Sequence, residues 1–154
     1  ERLGRLLCCF CLLTAGCAAE TDMVDFADLK RSDSPNDALA CPPNACTTHS
    51  DFVTDPIEIA PEALARHVIA VLSREPRTEL VTRDATGLRL VFVQRSRLFG
   101  FPDTINVAIL PEAEARSGLA LYSRSTYGHG DLGVNRARTQ DWLNKLGIGY
   151  TALE

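Results

Sequence analysis

No apolar run in this 154-residue sequence approaches the ~20 residues that a helix needs to cross a bilayer. The net charge is −4, so the strongly basic footprint of a general nucleic-acid binder is missing. Aromatic residues amount to only 6%. There is no P-loop, dinucleotide fingerprint, nucleophile elbow or HExxH helix, and with them go the most readily recognised chemistries. No internal repeat appears. What remains is a chain that is 45% hydrophobic, enough to exclude wholesale disorder and to build one domain with its own core.

The beginning of the chain reads as an address. Arg2 and Arg5 precede the apolar stretch Leu6-Leu7-Cys8-Cys9-Phe10-Cys11-Leu12-Leu13, and Thr14-Ala15-Gly16 follow as small residues before a cleavage point. Basic start, short apolar segment and small residues together form a secretory signal, placed over residues 1–16. Leu13-Thr14-Ala15-Gly16-Cys17 is similar to a bacterial lipobox, in which the cysteine receives fatty chains and becomes the mature N-terminus. Cys17 is therefore the expected lipidation site. Palmitate on it would make a membrane anchor for a protein facing the periplasm. Ala18 is not the Asp that usually retains such proteins in the inner membrane, which favours the outer one. The alternative is an ordinary secreted protein in which Cys17 is an odd thiol.

Residues 17–40 hold six acids against two bases, whereas residues 41–154 hold 13 acids and 12 bases. The first stretch is expected to be an acidic, solvated tether, interrupted by Ser32, Ser34, Pro35 and Asn36. A single domain is expected over 41–154. Within it, Pro61 suits a first helical turn, and Leu64, Val68, Val71 and Leu72 form one apolar stripe. Pro76 prevents that helix from continuing. Strands are expected at Leu80–Thr82, Leu88–Arg97, Thr104–Leu110 and Leu119–Thr126, joined by short connections that favour antiparallel neighbours. A second helix from about Leu132 to Leu146 turns Trp142, Leu143 and Leu146 inward and ends at Gly147. The fold class is α+β: an antiparallel sheet of about four strands with two helices on one face.

Three constellations carry candidate chemistry. Cys41-Pro42-Pro43-Asn44-Ala45-Cys46 is read first as a short-loop disulfide, because exported thiols meet an oxidising compartment; unpaired thiols are the alternative. A metal site that drew in His49 would have only three ligands at irregular spacing, so neither a metal nor a cofactor is expected. Arg95 and Arg97 share a strand face, and Arg124 lies near the end of another strand. Tyr127 to Arg136 is a glycine-rich turn entering a helix, with Asp131 placed as the helix cap. Arg95, Arg97, Arg124, Asn135 and Arg136 are the candidate anion-binding set, for a carboxylate or phosphate held near the helix start. The competing reading makes these arginines a structural lock, paired with Asp131 and with backbone carbonyls. His49 and His129 are candidate bases, and Ser125 and Cys46 candidate nucleophiles, for a hydrolase alternative.

These segments together resemble one family. Cys41–Thr48, then Arg95-Ser96-Arg97-Leu98-Phe99-Gly100-Phe101-Pro102-Asp103, then Ser123-Arg124-Ser125, Gly128 and Asp131-Leu132-Gly133-Val134-Asn135-Arg136 are similar to the bacterial and plastid family called domain of unknown function 1499. The likeness spans nearly all of residues 41–150. The cysteine segment departs from the family's usual form: it is one residue shorter and has Ala45 between Asn44 and Cys46. The resemblance implies a single domain and groups Arg95, Arg97, Arg124, Asp131, Asn135 and Arg136, and it implies no activity. The expectation is an exported, lipid-anchored binding or envelope-accessory module. Its partners would be the membrane, through the anchor, and an anionic small molecule or an envelope protein, with no nucleic acid. A structural partner in an envelope assembly is the other non-enzymatic alternative.

Overall fold

The computed structural model describes residues 21–153. The expected signal segment at 1–16 and the expected lipidation site Cys17 lie outside them. In chain order the elements are β1 (Asp37–Cys41), β2 (Phe52–Thr54), α1 (Pro61–Leu72), β3 (Thr78–Arg83), β4 (Arg89–Arg95), β5 (Pro102–Ala113), β6 (Arg116–Ser125), α2 (Val134–Leu146) and β7 (Tyr150–Ala152).

The fold is α+β, but the sheet has seven strands in the order β3-β4-β5-β6-β1-β2-β7 rather than about four. The expected strands are the four longer ones, β3 to β6, which run from one edge of the sheet to its middle. The sheet is also mixed, because β1 runs parallel to β2, with Ala40 opposite Phe52. A parallel neighbour needs a connection that leaves and returns, and the stretch holding Cys41 and Cys46 supplies it. The strands that sequence reading misses are short ones, and β1 contains two alanines in place of bulky β-formers. β3 is outermost, with a register shift between Leu80 and Thr82.

Strand alternation sorts side chains onto two faces. Leu90, Phe92, Ile105, Val107, Leu119 and Leu121 join Leu64, Val68, Leu72, Trp142, Leu143 and Leu146 of the two helices in the main core. Pro61 opens α1 at its first position, and Gly147 closes α2 at φ 70°, in the left-handed region that glycine adopts freely.

The opposite face is covered by the chain's own beginning, and this corrects the expected tether. From Val24 onward the segment is packed. Phe26 (5% exposed) and Leu29 (7%) lie against Leu39, Cys41, Ala108, Ala120 and Tyr122. Val24 donates its N–H to Asn106 Oδ1 and accepts from the Arg89 guanidinium. The acidic composition hides this strap because only two buried side chains, three residues apart, carry it. Beyond them, Arg31 fastens the strap to Asp37 and Asp51.

Candidate functional site

Cys41, the last residue of β1, is bonded to Cys46 with their Cα atoms 6.3 Å apart. Asn44 turns the intervening loop at φ 64°, and Ala45 N–H closes it onto the Pro42 carbonyl. The loop covers part of the strap.

The Asp131–Arg136 motif folds inward. α2 begins at Val134, so Asp131 precedes the cap position, which Gly133 occupies at φ 79°. The Asp131 carboxylate still serves the helix start: it accepts the N–H of Gly133 at 2.8 Å and that of Asn135 at 2.7 Å. Asn135 is fully buried and fully employed. Its amide donates to the Asn36 carbonyl, to Ser125 and to Asp131, and its oxygen accepts from Ser123 and Arg138. Arg138, one helical turn on, was missed by sequence reading, although the spacing of three from Asn135 puts both on one helix face. Its guanidinium reaches Gln94, Ser123, Asn135 and Asp103, the last at 2.6 Å. All three of its nitrogens donate to partners inside the protein.

A second knot lies beside it. Asp51 accepts the Leu39 N–H and pairs with Arg31 at 3.0 Å and Arg136 at 3.1 Å. Arg136 also donates to the Leu153 carbonyl and lies over the Phe52 ring, 4.8 Å from its centroid. Tyr122 donates its hydroxyl to Asp37 at 2.7 Å. Burial, together with that hydrogen bond to a carboxylate, holds the phenol's pKa well above its usual value, so it remains a donor. Arg124 stands opposite Asp37 in the β1–β6 ladder.

The five candidate anion ligands therefore do not form one site. Asn135 and Arg136 belong to the locks, Arg124 lies on the strap face opposite α2, and only Arg95 and Arg97 come together. They line an open groove of about 780 Å³ with Arg77, Thr21, Glu79, Val81, Val93 and Ser96. Arg77 was also missed: it lies in the turn between α1 and β3, at φ 56°, where no periodicity marks it. Its Nε donates to the Arg95 carbonyl, and Arg95 donates to the Gly100 carbonyl. Among the described residues none of these three guanidinium groups is paired with a carboxylate. Beside the groove the β4–β5 loop projects Leu98 (81% exposed) and Phe99 (71%). Phe99 stacks on Phe101 at 5.6 Å, and Phe101 meets Tyr127 at 5.9 Å.

The hydrolase candidates are dispersed. His129 is exposed and shares a hydrogen bond with Ser34; Ser125 accepts from Asn135; Cys46 is consumed in the disulfide. No group of three or more metal-ligating side chains occurs among the described residues.

The family model described as a protein of unknown function, DUF1499, matches residues 26–146. The chain belongs to the DUF1499 family. The matched region starts at Phe26, the strap residue buried against the sheet, so the DUF1499 domain as a folded unit includes the strap. No curated protein matches the chain.

Proposed function

We propose that this DUF1499 domain is the globular part of an exported, lipid-anchored protein that works as a binding module for an anionic group. The observation that carries the reading is the groove: Arg77, Arg95 and Arg97 present positive charge, without carboxylate partners among the described residues, on a chain whose net charge is −4. Arginine suits this task, because its planar fork holds a carboxylate or phosphate through paired hydrogen bonds. The signal-like segment with Cys17 supports export and anchoring. The Cys41–Cys46 bond suits an oxidising compartment.

Two measurements test the reading. Palmitate should label the protein in a bacterial host, and Cys17→Ser should abolish the label; absence of label in the parent removes the anchor. Inorganic phosphate should perturb the amide resonances of Ser96 and Gly100 in a saturable way, with the effect lost in Arg95→Gln/Arg97→Gln. An unperturbed groove would remove the anion site.

A further inference from the structure

We infer that the groove and the loop beside it form a membrane-docking face, with Arg77, Arg95 and Arg97 on phospholipid phosphates and Leu98, Phe99 and Phe101 in the interfacial layer. The inference rests on the anchored, anion-binding reading above and names its partner: the surface of an anionic bilayer.

Two independent observations converge on that occupant. The first is where the described chain starts. Thr21 lines the groove, and its carbonyl accepts a hydrogen bond from Thr82 of β3. Because the strap is packed rather than free, a lipid on Cys17 would be joined to this point through residues 18–20, whose four Cα–Cα steps reach at most about 14 Å when fully extended. A leash of that length keeps Thr21, and with it the groove that Thr21 lines, close to the lipid.

The second observation is the chemistry of that side. β3 starts, β4 ends and β5 starts at one end of the sheet, so Arg77, Arg95, Arg97 and the aromatic loop share it. Side chains as exposed as Leu98 and Phe99 are costly in water and suit the headgroup region, where aromatic rings are enriched. Apolar insertion combined with basic residues over anionic lipid is the general recipe for interfacial binding. The stacked pair Phe99–Phe101, braced on Tyr127, gives the loop a fixed shape to insert.

The test uses the full chain carrying Cys17→Ser, so that no lipid is attached, in forms with otherwise identical residues 1–20. Differences between forms then report the docking face alone. Vesicles of phosphatidylglycerol with phosphatidylcholine are compared with phosphatidylcholine alone. Arg95→Gln/Arg97→Gln should lower partitioning onto the anionic vesicles about tenfold or more at low salt, and Phe99→Ser/Phe101→Ser should lower it severalfold while leaving the thermal midpoint unchanged. A Phe99→Trp form should shift its emission to the blue and be quenched by brominated lipid. Equal partitioning of all forms, or an unshifted Phe99→Trp emission, overturns the inference. So does loss of self-association, seen by sedimentation without vesicles, as the only effect of Phe99→Ser/Phe101→Ser. Inorganic phosphate separates the two levels: saturable phosphate binding without vesicle binding sinks the docking face and leaves the anion site, whereas neither binding sinks both.

Discussion

Asp103 and Arg138, 35 residues apart, meet at 2.6 Å between β5 and α2, each largely shielded from water. The pair fixes the second helix to the end of the sheet where the glycine-rich turn begins. Its burial sets the sign of what substitution does. Removing one partner strands the other charge, whereas the intact pair adds little over well-packed apolar residues.

Arg138→Ala is therefore expected to destabilise the domain by about 3–5 kcal/mol, measured by urea unfolding. Arg138→Lys should recover only part of this, since one ammonium cannot serve Gln94, Ser123, Asn135 and Asp103 at once. A loss below 1 kcal/mol for the alanine variant, on the order of an exposed pair, would mean that the network is looser than its distances indicate.

The strap makes an equally direct prediction. Phe26 is 5% exposed, so Phe26→Ala should cost about 3–5 kcal/mol through lost burial and the cavity it leaves. A solvated tether would show no change. The readout is the chemical denaturation midpoint, with Asp28→Ala, at an exposed position on the same segment, as the control.

Asp84 should give stability a pH dependence near the acid end. Burial pushes its carboxyl upward, but hydrogen bonds from Thr86 and from the backbone N–H groups of Arg89, Gly87 and Leu88 outweigh this and hold it below the ordinary 3.8. Because the folded state prefers the ionised form, the contribution is present above about pH 4 and fades as pH falls through the lowered folded value. The thermal midpoints of parent and Asp84→Asn should differ at neutral pH and converge in acid. A gap that stays constant with pH would remove the assignment.

The central architecture was legible in the sequence because alternation is strong there. Leu90 and Phe92, Ile105 and Val107, and Leu119 and Leu121 mark one face without ambiguity, and the α1 stripe supplies its cover. The strands at the β7 side of the sheet were not legible: β2 and β7 have three residues each, too few for a period, and β1 is hidden in an acidic stretch. The site divided in the same way. Arg95 and Arg97 do share a groove, although β4 ends at Arg95 and Arg97 lies in the loop after it rather than on the expected strand. Asn135 and Arg136 of the Asp131–Arg136 motif were drawn to separate partners, because Asn36 and Asp51 lie far off in sequence. Arg77 and Arg138 acquire their roles from neighbours that only the folded chain provides.

The irregularity in β3 bears on how two copies of the domain can meet. Its outward N–H and C=O groups could template pairing with a second molecule, since among the described residues no strand lies beyond it in the sheet. The register shift between Leu80 and Thr82 breaks that row, and exposed Glu79 and Arg83 place charge along it. At the other end of the sheet β7 offers only three residues. Both edges therefore oppose strand-to-strand zipping of one copy onto another.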